Sequence, residues 1–136
     1  MKAGLFIDTS GFYALLVKND DRHERAKTIL AQAAKEKQRF MTSDYVLDET
    51  ATLLRARGLG HLIAPFFDNI FASQACSIVW MDHELFMKAR LFFLKHDDKS
   101  WSFTDCTSFV IMKEMKLSSA LTKDRHFQEA GFSPLL

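Results

Sequence analysis

The chain has 136 residues, of which 48% are hydrophobic and 26% charged, and its formal net charge at pH 7 is +1. This composition is ordinary for a soluble globular protein, and the length predicts one domain spanning residues 1–136 with a core of its own. The small net charge excludes a general attraction for polyanions, so any nucleic-acid contact would need a local basic surface.

The sequence shows no sign of a membrane or exported protein. Its apolar runs fall short of the ~18 residues that a membrane span needs, and the start (MKAGLFID) lacks the pattern of a signal peptide. The two cysteines, Cys76 and Cys106, have no CxxC spacing and are expected to be free thiols in a reducing compartment. We therefore expect a cytoplasmic protein without membrane contact.

The first third of the chain predicts a strand followed by two helices. The apolar run at 2–8 (KAGLFID) ends in Asp8 and is typical of a buried strand. A helix should follow with Thr9 or Ser10 as its N-cap. A second helix should begin after the polar break at 19–21 and continue to about residue 37.

The middle of the chain repeats this order. Residues 39–42 predict a short strand, and Ser43 is expected to cap a helix that Gly58 ends. Another helix should cover 61–73, and the run at 76–81 (CSIVWM) predicts a second buried strand.

The last third adds further alternating elements. In chain order they are a helix capped by Asp82, a helix beginning at Ser102, a strand at 119–122, a short helix at 124–130 and a final strand at 132–136. Strands that alternate with helices predict an α/β fold with a mostly parallel sheet covered on both faces. In such sheets the ligand site lies at the carboxyl ends of the strands.

Four acidic residues stand near points where a strand should end or a helix should begin. They are Asp8, Glu49, Asp105 and Asp124, separated by 41, 56 and 19 residues. Carboxylates gathered at one sheet edge repel one another, so at least one should have a raised pKa when no metal is bound. The natural cation for such hard oxygen ligands is Mg²⁺ or Mn²⁺. The pattern therefore indicates metal-assisted chemistry on phosphate.

Three of these acids also have a structural interpretation. Asp8 and Asp124 could each cap the helix that follows, and Ser102 and Asp105 have the spacing of a capping box. The side chains that flank Asp124 (Lys123, Arg125 and His126) could meet a phosphate backbone, although exposed charge is their default interpretation.

Glu49 is a sharper signal. It lies three residues after Val46 and four before Leu53, on or beside the buried stripe predicted for its helix. A carboxylate there is costly unless another group pairs with it. The structural alternative is a salt bridge, for example to Arg55.

Four segments occur in an order and spacing that span nearly the whole chain: FIDTSGFYAL, SDYVLDETATLLR, SFTDCTSFVIMKE and ALTKDRHFQEAGF. In these segments the sequence resembles PIN-domain ribonucleases of the VapC toxin type. The resemblance implies a three-layer α/β/α fold, with a central mostly parallel sheet of four or five strands.

It also implies a metal-dependent endoribonuclease site whose four acids are Asp8, Glu49, Asp105 and Asp124. A hydroxyl near the metal would belong to Thr9 or Ser10, and Thr104 resembles the polar neighbour of the third acid. Dimerisation and an antitoxin partner are implied as well.

The residues and the resemblance predict the same chemistry. One or two divalent cations would help a water molecule lose a proton and attack phosphorus in line. Asp8 and Asp105 are expected to be direct ligands, Glu49 a ligand or the group that orients the water, and Asp124 the ligand of a second metal or a bridging water. Alternatives are a metal-dependent phosphatase, which would favour an acid where Ser10 stands, and a non-catalytic binding module of the same fold.

Overall fold

A computed structural model describes residues 4–136 of the chain. Within these residues, five strands form one sheet: β1 (Leu5–Ile7), β2 (Phe40–Ser43), β3 (Cys76–Val79), β4 (Ser119–Leu121) and β5 (Ser133–Pro134). All neighbouring pairs are parallel, and the order across the sheet is β3-β2-β1-β4-β5. The predicted α/β fold with a mostly parallel sheet of four or five strands is confirmed.

Helices connect the strands and complete the three-layer α/β/α arrangement. They are α1 (Thr9–Leu16), α2 (His23–Lys35), α3 (Asp44–Ala56), α4 (Ile63–Ala72), α5 (His83–Lys95), α6 (Phe103–Glu114) and α7 (His126–Glu129). A 3₁₀ turn (Gly60–Leu62) precedes α4, so the helix predicted over 61–73 is divided in two. Among residues 4–136, no helix is both long and apolar enough to cross a membrane.

The strands are shorter than their apolar runs. Of the strand predicted at 2–8, residues 2 and 3 lie outside the described part of the chain, and Asp8 already stands at the N-cap position of α1. The strand predicted at 76–81 ends at Val79 and lies at the edge of the sheet, where all four of its residues are only half-buried. The prediction of a buried strand there is wrong, because an apolar run does not distinguish an edge position from a central one.

The start of α1 lies directly against the end of β4. A Cβ atom built on Gly11 would come 2.1 Å from the carbonyl oxygen of Leu121, so the helix can approach the strand this closely only with glycine. The backbone N–H of Asp8 also donates to that carbonyl, at 3.2 Å. The first turn of α1 is thereby fixed beside the residues that follow β4.

The direction of the chain across the sheet reverses between β1 and β4. From β1 the chain proceeds outward through β2 to β3, and then returns to place β4 on the other side of β1. A reversal of this kind opens a crevice at the carboxyl ends of the two central strands, where ligands of open α/β sheets bind. Asp8 follows β1 and Asp124 lies three residues after β4, so both acids stand at this crevice.

Candidate functional site

The four predicted acids come together at the crevice. Asp8, Glu49 and Asp124 line one cleft of about 400 Å³. Asp105, in the first turn of α6, has a carboxylate oxygen within 4.8 Å of one on Asp124. Its charge also acts on Asp8, as the charge of Glu49 does. Residues far apart in the sequence therefore form one acidic group.

Asp8 is the buried member of the group, with 5% of its surface exposed. Its pKa is raised to about 7, mainly by burial and in smaller part by the charges of Asp105 and Glu49, while bonds from Thr122 and the Thr9 backbone oppose the rise. The expectation of a raised pKa is confirmed, but its main cause is loss of water rather than repulsion. The side chain accepts no bond from the second or third residue of α1, as a helix cap would, so the capping interpretation of Asp8 is wrong.

Thr122 links Asp8 to the loop after β4, a role that was not predicted from the sequence. Its hydroxyl donates to Asp8 Oδ2 at 2.9 Å. Because that proton is committed, the Thr122 oxygen accepts from the Ser10 hydroxyl and from the Asp124 backbone N–H, both at 3.0 Å. Ser10 in turn accepts the backbone N–H of Lys123. The one available signal was a hydroxyl residue at the end of the predicted strand 119–122.

Glu49 is exposed, in contrast to Asp8. Its Oε1 accepts a hydrogen bond from Thr9 Oγ1, which joins α3 to the first residue of α1. The predicted cap was Thr9 or Ser10, but both residues lie inside α1. Their hydroxyls bond instead to Glu49 and to Thr122, respectively. The salt bridge to Arg55 does not occur within residues 4–136. Glu49 thus projects into the cleft rather than into the core.

Asp105 belongs to the acidic group and also forms the cap considered for it. It forms a complete capping box with Ser102, in which the Ser102 N–H donates to Asp105 Oδ2 at 3.1 Å and the Asp105 N–H donates to Ser102 Oγ at 2.9 Å. Burial raises its pKa, with a further contribution from the charge of Asp124. The cap therefore holds a carboxylate whose ionised form is disfavoured by its surroundings.

Asp124 and His126 complete the group. Asp124 Oδ1 accepts the backbone N–H of His126 at 2.9 Å, at the start of α7, so the acid also has a capping contact. The His126 ring lies between two acids, with Nδ1 3.1 Å from Asp105 Oδ2 and 3.3 Å from Asp124 Oδ1. From the sequence alone, His126 was expected only as a possible phosphate contact. Its signal was an Asp-x-His spacing in the loop after a strand.

The donor set fits a hard divalent cation. One oxygen of each carboxylate accepts a bond from a protein group: Thr122 for Asp8, Thr9 for Glu49, Ser102 for Asp105 and the His126 backbone for Asp124. Each acid is thereby oriented while a second oxygen remains to serve as a ligand. The carboxylates gathered at this crevice are the oxygen donors that Mg²⁺ and Mn²⁺ prefer.

A basic rim surrounds these acids. Four cationic side chains line the same cleft, namely Arg22, Arg57, Lys123 and Arg125. None of them forms a salt bridge within the described residues. The local basic surface that the small net charge required is therefore present at the acidic group.

Comparison with known proteins agrees with the fold. The family model described as PIN domain matches residues 5–133. The 23S rRNA-specific endonuclease VapC20 of Mycobacterium tuberculosis is 35% identical over 128 residues, which cover 94% of this chain and 95% of that protein. A VapC ribonuclease of Archaeoglobus fulgidus is 31% identical over 113 residues, covering 82% of this chain and 71% of that one.

Two crystal structures extend this likeness. That of Mycobacterium tuberculosis VapC20, titled a sarcin-ricin loop cleaving toxin, superposes with a TM-score of 0.82 at 32% identity, covering 95% of this chain and 96% of that one. FitAcB from Neisseria gonorrhoeae superposes with a TM-score of 0.66 at 16% identity, covering 97% and 96% of the two chains, and supports the fold alone.

Proposed function

This chain belongs to the PIN domain family, and we propose that it is an endoribonuclease of the VapC toxin type, which hydrolyses phosphodiester bonds in RNA. The observation that carries the proposal is the burial of Asp8. A carboxylate is placed at 5% exposure, at a cost in stability, without capping the helix that follows it. A bound cation would offset that cost. A cation held by carboxylates can also catalyse the hydrolysis of a phosphodiester.

Each acid has a proposed role. Asp8 and Asp105 are direct ligands of Mg²⁺ or Mn²⁺, Glu49 is a ligand or orients the attacking water, and Asp124 serves a second cation or a bridging water. When bound, the cation would lower the pKa of water and neutralise charge that develops on the phosphoryl oxygens. The protein's own contribution is orientation, through the hydrogen bonds that fix one oxygen of every carboxylate.

The substrate we propose is an exposed loop of ribosomal RNA. The relative with 35% identity is named for 23S rRNA, and its crystal structure is titled for the sarcin-ricin loop. A loop is also the physically reasonable target, because unstacked nucleotides can enter a narrow cleft that a duplex cannot. Arg22, Lys123 and Arg125 would bind the flanking phosphates.

The two alternatives are less well supported. A phosphatase of the Asp-x-Asp type would need a carboxylate where Ser10 stands, and the Ser10 oxygen is instead bonded to Thr122 and the Lys123 backbone. A pure binding module would have no use for the buried charge of Asp8.

We also propose that the chain acts in the cytoplasm as a single PIN-like domain, with an antitoxin and a second copy of itself as partners. The proposal of a single domain is supported by the cleft, because Asp8 and Asp124 both line it although they are 116 residues apart in the sequence. Self-association is supported by an exposed apolar stripe on α5, formed by Met87, Leu91 and Leu94 at helical spacing. If only the antitoxin covered this stripe, the free toxin would expose it to water. We therefore propose that a second copy of the chain, rather than the antitoxin, packs against the stripe.

The dimer is tested by light scattering on a sizing column. Wild type should elute with the mass of two chains, and Leu91→Glu should elute as one. Phe71→Glu, which changes an equally exposed apolar residue on α4, should remain dimeric. If wild type is a monomer at micromolar concentration, the dimer proposal is wrong and the stripe is instead a candidate contact for the antitoxin.

The enzymatic proposal is tested by incubating the purified chain with 23S rRNA, and with an oligonucleotide of its sarcin-ricin loop. We expect a discrete cut in Mg²⁺ or Mn²⁺ and none in EDTA. Absence of cleavage across a broad RNA panel, by folded protein that binds the metal, would favour the binding module.

A further inference from the structure

We propose that Tyr13 and Arg57 form a stacking subsite for an unpaired nucleobase beside the phosphate to be cleaved. The guanidinium carbon of Arg57 lies 5.0 Å from the centroid of the Tyr13 ring. Both residues line the cleft that holds Asp8 and Glu49. This inference rests on the proposed function, since it assigns part of the RNA contact of the same site.

The subsite follows from how α1 and α3 carry their side chains. Tyr13 lies four residues after Thr9 on α1, and residues at this spacing share one face of a helix. Arg57 is the C-cap residue directly after α3, eight residues after Glu49 with Leu53 midway. The Thr9–Glu49 hydrogen bond and the Tyr13–Arg57 contact therefore join α1 to α3 and its C-cap at two places. Thr9 and Tyr13 are about 6 Å apart along the axis of α1, which is on the scale of one nucleotide.

The chemistry of the pair fits a base rather than a phosphate alone. Aromatic rings and guanidinium planes both stack on bases, and unpaired RNA is recognised largely in this way. Arg57 is exposed and takes part in no salt bridge within the described residues, so its plane is available. The acids repel the RNA backbone, and stacking adds attraction that this repulsion does not reduce.

The structural alternative is that the pair only joins α1 to α3, as surface cation–π contacts often do. The experiment measures binding of short single-stranded RNA oligonucleotides in EDTA, where cleavage is absent, and compares intact RNA with a series in which each nucleotide in turn lacks its base. For wild type, one abasic position should weaken binding by about tenfold. Tyr13→Leu should weaken the binding of intact RNA by a similar factor and lose its sensitivity to that position.

Two further variants separate the plane from the charge. Tyr13→Phe keeps the ring and should bind like wild type, whereas Arg57→Lys keeps the charge, loses the plane and should bind several-fold more weakly. Phe71→Leu, an exposed aromatic residue on α4, is the control and should bind like wild type. Wild-type affinity in Arg57→Lys, or equal sensitivity to the abasic series in wild type and Tyr13→Leu, would overturn the subsite. Cleavage is scored separately, so the nuclease and the subsite can fail independently.

A different observation assigns His126 as a positioning residue. Its Nδ1 contacts a carboxylate oxygen of Asp105 and one of Asp124, which reach the crevice from α6 and from the loop after β4. The ring therefore bridges two carboxylates that come from different elements of the fold. On the other side of the ring, Ser100 Oγ lies 3.3 Å from Nε2. The imidazole thus fixes the distance between two proposed ligands.

Calorimetric titration with Mn²⁺ alone tests this role without any RNA. His126→Ala should weaken Mn²⁺ binding by about tenfold, the size seen when groups that orient metal ligands are removed. His126→Asn places an amide N–H near the position of Nδ1 and should restore most of the affinity. His83→Ala, an exposed histidine at the start of α5, is the control. Unchanged Mn²⁺ affinity in His126→Ala, or equal loss in Ala and Asn variants, would overturn the positioning role, the latter in favour of direct ligation.

Discussion

The two sides of the acidic cleft are built in opposite ways. On the β1 side, Asp8 is buried, and burial raises its pKa to about 7. On the α3 side, Glu49 is exposed and is held by a single bond from Thr9. Both are proposed ligands, yet only the first costs the fold stability when no cation is bound. A metal site can thus combine two kinds of ligand. One is a buried carboxylate that lowers the stability of the fold until a cation binds, and the other is an exposed carboxylate with almost no effect on stability.

The largest effect that sharpens this comparison is expected for Asp8→Asn. A folded-state pKa above the unfolded value means that the folded protein binds the proton more tightly, so the free energy of unfolding falls as pH rises from about 4 to about 7. The shift from 3.8 to about 7 corresponds to at most about 4 kcal/mol. Asp8→Asn removes this cost, so in EDTA at pH 8 it should be more stable than wild type.

Urea unfolding from pH 4 to pH 8 measures this effect. Wild type should show the falling slope, Asp8→Asn should lack it, and Asp21→Asn, at an exposed acid before α2, should retain it. Mn²⁺ should raise the melting temperature of wild type far more than that of Asp8→Asn. An equal rise in both proteins would remove Asp8 from the site.

Glu49→Gln should affect the rate rather than the fold. Because the side chain is exposed and Gln has a similar helix propensity, stability should change by less than about 0.5 kcal/mol. Cleavage should fall by a factor of 10² or more, the size typical of a lost electrostatic contribution to a transition state. RNA affinity should fall much less than the rate, or rise, because a negative charge has left the cleft.

Single-turnover cleavage and binding in EDTA give the two quantities for Glu49→Gln. Glu24→Gln makes the same chemical change at an exposed position on α2, and this variant should cleave like wild type. Unchanged cleavage in Glu49→Gln would keep the nuclease but discard Glu49 from its site.

Much of this arrangement could be predicted from local signals. The caps at Ser43, Asp82 and Ser102 each accept the backbone N–H three residues later, as their spacing predicted. Gly58, with a φ of +73°, follows α3 as expected of a glycine that ends a helix. Such signals depend only on residues close in the sequence, so they can be recognised without knowledge of the fold.

The remaining features depend on how the strands pair. Thr122 contacts Asp8, 114 residues away in the sequence, only because β1 and β4 are neighbours. His126 contacts Asp105 only because α6 begins beside the same loop. The burial of Asp8 and the exposure of Glu49 have the same origin, since Asp8 follows a central strand and Glu49 lies on a covering helix. A motif gives the residues of a site, whereas sheet order decides which of them loses water.

Gly11→Ala tests whether the buried side depends on the contact between α1 and β4. The added methyl would collide with the Leu121 carbonyl oxygen, so we expect a loss of about 1–3 kcal/mol in the free energy of unfolding. Displacement of α1 would also move Thr9 and Ser10, so Mn²⁺ affinity should fall. Gly60→Ala, where no atom lies within 4 Å of the added methyl, should change neither quantity in urea unfolding and calorimetry.

Asp105→Asn, for which we expect only a small change in stability, separates a cap from a ligand. Asn retains an oxygen that can accept the Ser102 N–H, so the capping box should persist. Removing a carboxylate whose pKa is raised by burial should stabilise the fold slightly at pH 8, while the lost charge near the start of α6 opposes this. The two contributions should nearly cancel, leaving a net change under about 0.5 kcal/mol.

Cleavage should nevertheless be lost in Asp105→Asn, because an amide oxygen is a poorer ligand for a hard cation than a carboxylate. Ser102→Ala provides the reverse control, since it removes the cap at a cost of about 1 kcal/mol and keeps the carboxylate. Urea unfolding and rRNA cleavage measured on both variants give a crossed pattern if Asp105 is a ligand: stable but inactive for one, less stable but active for the other. Full activity in Asp105→Asn would reduce this residue to its capping role and leave Asp8, Glu49 and Asp124 to hold the cation.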